Sequence, residues 1–482
     1  MLRRFGSGAS CVLAALALGW ACVRNPATGR RQLSLIGEGQ EIQMGKEYDP
    51  QVAATMGLYA DSALQRYAAE LGTRLAAASE RPSLPWTFRV VDDPVVNAFA
   101  LPGGFIYVTR GILAHFESEA ELAAVLGHEI GHVTARHSVS QLSRQQLAQL
   151  GLAVGSVLSP EVQRFSGLAS AALGVLFLKH SRDAEREADE LGLRYMRRGG
   201  YDPREMPDVF TMLERVSAGQ SGGRTPEWLA THPNPENRRA RIEQQLAALP
   251  PDSLRGLVRR EAYLRRIDGI VFGVNPREGF FRGSEFLHPD LRFRVRFPEG
   301  WTTANQKQAV MAVSPERDAM FQVGLAEQAT PDAAARAFFG RTGITSGGVS
   351  RAPVNGLRAV TGSFAAETES GTLRGAASFI ELGERVYQLL AYAPAARWSA
   401  HASAAERFLE SFAELTERAA LDVQPWRVDV ITVERRTTLQ DLARERPSPV
   451  PVGTLALLNQ IAVDATLAQG QVIKWVVGRP LP

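Results

Sequence analysis

His128-Glu129-Ile130-Gly131-His132 is the stretch on which the reading of this chain turns. On a helix, residues four apart lie one above the other, so both imidazoles face a single metal ion. Glu129 follows the first of them, on the helix side that reaches a water bound to that metal. Reading outward, the helix starts at Ser118. Ser118 and Glu121 have capping-box spacing, and Leu122, Val125, Leu126 and Val133 supply an apolar stripe.

A catalytic zinc takes three protein ligands and keeps one position open. The long metzincin pattern needs Gly at position 135 and His at position 138; the chain has Ala135 and Ser138, which excludes that class. The other solution is a glutamate from a second helix. Ser181 is a suitable N-cap for one, and Ala184, Ala188, Leu191 and Tyr195 form its packed stripe, ending near Gly199-Gly200. Glu185 and Asp189, four apart, lie on the edge of that stripe. Glu185 is placed to reach the metal, and Asp189 to accept a hydrogen bond from a ligand imidazole and so select its tautomer. Taken alone, this segment reads as a charged surface helix; beside the first motif the metal reading prevails. Glu187 points away and reads as solvated. His137, five residues past His132, falls about 140° round the helix, which suits a structural histidine better than a ligand. His115, His180, His288 and His401 show no partner pattern.

Composition narrows the alternatives. The 482 residues are 45% hydrophobic and 22% charged, ordinary for a globular protein of two or three domains. Lys+Arg at 54 against Asp+Glu at 51 leaves a net charge of +3 and no reason to expect a nucleic-acid partner. Two cysteines, Cys11 and Cys22, exclude a disulfide scaffold and Cys-rich zinc modules. Any metal site is therefore built from histidines and carboxylates.

Arg3 and Arg4, an apolar run over residues 11–18 and the small residues before Cys22 predict a secretory signal over residues 1–22. The run is too short to span a bilayer comfortably. Cys22 stands where a lipoprotein signal places its acylated cysteine, although Gly19 and Trp20 depart from the usual residues before it. The expected location is the periplasm, with a lipid on Cys22 as an outer-membrane anchor; the alternative is a plain export signal with an incidental cysteine and a soluble periplasmic protein.

The expected fold class is α+β, in three zones. Residues 23–266 read as a mainly helical zincin-type peptidase domain with a small edge sheet. Residues 148–158 and 165–178 are read there as a buried helical pair. Residues 280–415 read as a small α+β domain, in which Leu291, Phe293, Val295 and Phe297 alternate with arginines as a strand with one wet face. Residues 426–482 form a short final module of strands and two helices. No internal repeat is visible.

The residues 128–132 and 181–192 together resemble the gluzincin peptidase family that includes HtpX, BepA and the CAAX prenyl endopeptidases, and the likeness is nearest to the periplasmic BepA-like members. Asn25-Pro26-Ala27-Thr28-Gly29, Asn97-Ala98-Phe99-Ala100-Leu101-Pro102-Gly103-Gly104 and Thr231-His232-Pro233 add to it. The resemblance covers about the first half of the chain. It implies one Zn2+ per chain held by His128, His132 and Glu185, Glu129 as the base, and Asp189 behind a ligand. It also implies that His232 lies near the metal as a latch or fourth ligand; a loop histidine hydrogen-bonded nearby is the equal alternative. Arg238 follows at the family's spacing as a candidate oxyanion stabiliser, with Arg239 and Arg241 as neighbours able to replace it. Asn97, Ala98, Phe99 and Ala100 are expected as an edge strand that pairs with an extended substrate. The middle zone is similar to PsbP/Mog1-like domains, mainly over residues 293–301. The final zone is similar to a LysM module, with Arg436-Thr437 in place of the usual Gly-Asp.

The function this implies is zinc-dependent endoproteolysis of unfolded or misassembled envelope proteins, in contact with the outer-membrane assembly machinery. Two other readings stay open. One is an assembly factor or chaperone with a latent protease site. The other is a peptidoglycan-peptide hydrolase guided to peptidoglycan by the final module.

Overall fold

The computed structural model describes residues 22–151, 180–219, 232, 235–368 and 371–481. It divides into one unit of residues 1–273 with 427–477, and a second of residues 274–426 with 478–482.

In the first unit, β1 (Cys22–Arg24) and β2 (Arg31–Leu33) form a hairpin. Helix α1 (Glu38–Met56) follows, and fully buried Val52 packs its second half into a cluster with Val91, Phe99 and Phe105. Asp61 caps α2 (Ser62–Ala77) by accepting from the Ala63 and Leu64 amides. A three-stranded sheet comes next: β3 (Thr87–Val91), β4 (Ala98–Leu101) and β5 (Phe105–Thr109), in the order β3-β5-β4. Strand β3 runs parallel and β4 antiparallel to β5, which leaves β4 on the edge. The turn between β4 and β5 needs Gly103, at φ +84°, because a Cβ there would lie 2.7 Å from the Ile42 Cα.

After α3 (Arg110–His115) comes α4 (Glu119–Thr134), which carries the two-histidine motif. Ser118 caps it by accepting from the Glu121 amide, but the Glu121 carboxylate accepts from the Glu117 amide, one residue before the cap. All of α4 is buried, so it has no wet face. The reason is enclosure by α2, β4, α6 (Arg182–Arg198) and α7 (Met206–Gly219). Helix α5 (His137–Gly151) follows α4 directly, α8 (Pro235–Ala247) follows α7, and α9 (Arg260–Ile267) and β6 (Val271–Phe272) close this part. Of the helical pair expected over 148–178, residues 148–151 end α5 and the rest lie outside the described residues. Among the described residues, no helix is long and apolar enough to cross a membrane.

Glycines set the approach of α4 to α6. A Cβ on Gly192 would lie 2.9 Å from the His128 amide nitrogen, and one on Gly131 3.0 Å from the Ala188 carbonyl oxygen. Glu185 sits seven residues before Gly192, two turns along the same face, and so opposite the motif histidines. Gly192→Leu is expected to cost roughly 3 kcal/mol by overpacking this crossing. Gly39→Ala, where a Cβ meets nothing within 4 Å, is expected to be neutral or slightly stabilising. Denaturant unfolding of the two variants measures the contrast.

The second unit contains a seven-stranded antiparallel sheet and a four-stranded one. Its strands are β7 (Phe280–Arg282), β8 (Glu285–His288), β9 (Phe293–Arg296), β10 (Thr302–Asn305), β11 (Ala309–Val313), β12 (Met320–Leu325), β13 (Ile344–Ser350), β14 (Ala359–Thr368), β15 (Gly371–Leu382), β16 (Arg385–Pro394) and β17 (Ala413–Glu414). The orders are β10-β11-β12-β16-β15-β14-β13 and β17-β9-β8-β7. Strand β9 buries Phe293 and Val295 and exposes Arg294 and Arg296, as the alternation predicts. Phe379 and Ile380, adjacent on β15, belong to different core clusters. Phe379 packs with Phe338 of α10 (Pro331–Phe339), and Ile380 with Phe408 of α11 (Trp398–Glu410), so each helix covers one sheet face.

The chain then returns to the first unit. Strand β18 (Trp426–Thr432) pairs with β21 (Val472–Val477) on one side and β6 on the other. Between them lie β19 (Thr437–Thr438), α12 (Leu439–Glu445), α13 (Val452–Leu458) and β20 (Thr466–Leu467). The sequence suggests a module of its own here, yet these residues share a unit with the zincin-like part. The physical reason is Lys474. Fully buried, it donates to the carbonyls of Ala114 and Phe116 just ahead of α4, and its ammonium lies 2.9 Å from Glu117.

Candidate metal centre

Helix α4 presents His128 and His132 on one face, with Nε2 atoms 3.0 Å apart. From α6 the Glu185 carboxylate comes within 3.6 Å of His128 Nε2 and 3.4 Å of His132 Nε2. From the segment before α8, His232 Nδ1 lies 3.1 Å from Glu185 and 3.4 Å from His128 Nε2. All four side chains are buried, and their donor atoms lie within 4.8 Å of one another. Zinc ligands at about 2.0–2.1 Å in a tetrahedron have edges of about 3.3–3.4 Å. The spacings of this three-nitrogen, one-oxygen set bracket that value, so these residues fit zinc.

The electrostatics agree with the donor chemistry. Burial, with the neighbouring His180 and His128, drives His132 well below the ordinary histidine value, so its imidazole is neutral. Burial alone would raise Glu185, but His232 and Arg238 outweigh it and hold the carboxylate well below its usual range. Asp189 is likewise depressed, burial being overcome first by Arg238 and then by His128. It lies 2.9 Å from His128 Nδ1, on the ring side away from the cluster. Arg238 forms a two-pronged pair with Asp189 at 2.8 and 2.6 Å and also lies 2.8 Å from Glu185.

Glu129 is buried, and its Oε1 has no hydrogen-bond partner; His232 Nε2 lies 3.7 Å from it. Burial raises its pKa above the ordinary carboxylate value, against the pull of His232 and His128. An unpartnered buried carboxylate oxygen beside a metal-fitting cluster has the position a proton acceptor needs.

The sequence-predicted residues separate as follows. His128, Glu129, His132, Glu185, Asp189, His232 and Arg238 meet at this centre. Ala98, Phe99 and Ala100 lie on the edge strand β4, which packs against α4. Asn97 just precedes it, buried, with Oδ1 unpartnered. Thr231 and Pro233 lie outside the described residues, as does the side chain of Cys22.

Three residues escaped sequence reasoning in their surroundings here. His180, which no spacing links to the motif, stacks on His132 with centroids 4.1 Å apart, and burial lowers its pKa to about 3. His137 approaches the far nitrogen of His132, Nδ1 to Nδ1, at 2.9 Å. Glu187, expected in solvent, faces His137 at 3.6 Å and accepts a hydrogen bond from Asn25 at 2.7 Å. His137 stays out of the donor set, as expected, but the helical wheel does not foresee its contact with His132 because α4 has ended by then. Arg136 takes φ +58°, and the chain turns back as a new helix.

Residues 62–246 match the model of Peptidase family M48. The beta-barrel assembly-enhancing protease of Escherichia coli (strain K12) is 33% identical over 237 residues, covering 47% of this chain and 48% of that protein. The mitochondrial metalloendopeptidase OMA1 of Arabidopsis thaliana is 37% identical over 172 residues, 35% of this chain and 33% of that protein. The chain thus spans half or less of the length of these relatives. Among solved structures, cyanobacterial PsbP from Synechocystis sp. PCC 6803 aligns with 28% of this chain and 95% of its own, at 14% identity and a TM-score of 0.24.

Proposed function

Residues 62–246 form a Peptidase family M48 domain, a family of zinc-dependent peptidases, and from that premise we propose that the chain is a zinc metalloendopeptidase of the bacterial cell envelope. The observation that carries the proposal is the convergence of His128, His132, Glu185 and His232 on a buried point with zinc-like spacing. The substrates proposed are unfolded or misassembled envelope proteins.

His128, His132 and Glu185 would hold the zinc, which when bound supplies Lewis acidity and an activated water near neutral pH. Glu129 takes the proton of the attacking water on its free Oε1 and returns it to the leaving amine. Its burial-raised pKa brings it closer to the working pH, where a base is most effective. Asp189 accepts from His128 Nδ1–H and so leaves Nε2 bare toward the centre. Arg238 faces Asp189 and Glu185, which supports charge balance for those carboxylates more than contact with a developing oxyanion. The edge position of β4 supports backbone pairing of Asn97 to Ala100 with an extended peptide, a mode with little side-chain selectivity.

His232 occupies the fourth corner of the donor set, the position a substrate or water needs. It acts as a latch that keeps the resting site closed. His232→Ala is expected to raise cleavage of a casein-type substrate severalfold with zinc still bound. Unchanged activity with zinc retained would discard the latch.

The chain is assigned to the periplasm, tied to the outer membrane by a lipid on Cys22. The basic start and short apolar run support this, as does the likeness to a protease named for enhancing β-barrel assembly. Outer-membrane assembly machinery is the proposed partner. The middle unit, with helices on both faces of its larger sheet, is assigned the PsbP/Mog1-like type. For residues 426–482, the strand–helix–helix–strand order with β18 antiparallel to β21 supports the LysM-like reading. Peptidoglycan is the ligand this reading implies, and purified peptidoglycan offered beside unfolded protein separates the two substrate classes.

A further inference from the structure

The two motif histidines are supported differently. His128 has a carboxylate directly behind it, whereas His132 has another imidazole: His137 Nδ1 lies 2.9 Å from His132 Nδ1. A ring that offers Nε2 to a metal in its neutral form carries its proton on Nδ1. His132 therefore donates from Nδ1, and His137 must accept on its own Nδ1. That leaves the His137 proton on Nε2, an atom buried without a hydrogen-bond partner and 3.6 Å from Glu187 Oε2. The other Glu187 oxygen accepts from Asn25 Nδ2 at 2.7 Å. Asn25 is itself held, because its Oδ1 accepts from the Ala27 and Thr28 amides of the β1–β2 turn. Every tautomer along the row follows from the first, and the row ends on a carboxylate.

The turn that brings His137 back is also secured. Arg136, at φ +58°, donates to Glu41 at 2.9 Å and to the Ile36 carbonyl at 2.7 Å. Arg81 donates to the same Glu41 and to the Val133 carbonyl at the end of α4. A left-handed backbone at a non-glycine residue is uncommon and persists where surrounding contacts impose it.

We propose that His137 and Glu187, anchored by Asn25, are positioning residues that select the tautomer and ring orientation of His132, so that zinc affinity depends on a relay running from the N-terminal hairpin to the metal. This rests on the reading of His132 as a ligand. Partners behind a metal-binding histidine are typically worth 10–100-fold in affinity.

The test is zinc affinity by chelator competition on the full chain, each variant first shown to be folded by circular dichroism. His137→Phe fills the space but accepts nothing, and is expected to bind zinc about 10–100-fold more weakly. His137→Asn keeps an acceptor oxygen near Nδ1 and should stay within about threefold of wild type. Glu187→Leu, which leaves the His132 contact in place, should lose about tenfold and serves if His137→Phe does not fold. A packing role predicts the reverse order, with Phe tolerated and Asn damaging, and that order overturns the relay. His132→Ala separates the two levels. If it binds zinc like wild type, the reading of the centre fails; if it loses zinc while the His137 and Glu187 variants do not, only the relay fails.

Discussion

Glu129→Gln leaves a protein that binds zinc as wild type does and cleaves an unfolded substrate about 10²–10⁴-fold more slowly. The substitution keeps the shape of the side chain and the interior packing around a fully buried position. It removes the one property the mechanism asks of Glu129, a carboxylate oxygen free to take a proton. Metal content and casein-type proteolysis measured on one preparation give the result. More than about a tenth of wild-type activity would remove Glu129 from the role of base. The same variant tests the assembly-factor reading: if the chain acts by binding alone, the Glu129→Gln protein rescues the envelope phenotype as well as wild type does, and if it acts as a protease, that rescue is lost.

Arg238→Met is expected to destabilise the zinc-free first unit by about 3–5 kcal/mol, because it strips the counter-charge from two buried carboxylates. Arg238 lies within 2.8 Å of both Asp189 and Glu185, and all three side chains are withdrawn from solvent. The sign of the pH dependence follows. Asp189 and Glu185 have folded pKa values held below their unfolded values, against a burial effect that acts upward. Their pairing therefore adds stability above the unfolded carboxylate value of about 4, and loses it as pH falls through the folded values. The deficit of Arg238→Met should be full above about pH 5 and shrink below about pH 4, where the uncompensated carboxylates of the variant are protonated. Denaturant unfolding at a series of pH values measures it, and a deficit independent of pH would assign Arg238 a packing role.

Much of the centre was legible because its logic is local. Four-residue spacing on a helix places two imidazoles together wherever the helix goes, and Ser181 with the stripe after it predicts a helix whose inner edge carries Glu185 and Asp189. The alternation in β9 was legible for the same reason, whereas the edge strand expected at Asn97 to Ala100 came from the family resemblance and runs over Ala98–Leu101. His137 stays out of the donor set, as expected, but its contact with His132 and the surroundings of Glu187 and His180 were not foreseen, because each argument assumed continuity. A helical wheel says nothing once Arg136 adopts a left-handed backbone, and no periodicity announces His180, which stands two residues before α6.

Residue identity and helical period alone set the donor types, histidine and carboxylate, and the helix faces on which they lie. Long-range packing is what crosses α4 with α6 at Gly127, Gly131 and Gly192, close enough for Glu185 to meet both imidazoles. The same packing brings the His232 ring within 3.1 Å of Glu185 and 3.4 Å of His128 Nε2, and pairs the C-terminal strands with β6 beside buried Lys474. Those outcomes depend on close packing between segments up to hundreds of residues apart, where a single missing Cβ or one buried ammonium selects the arrangement.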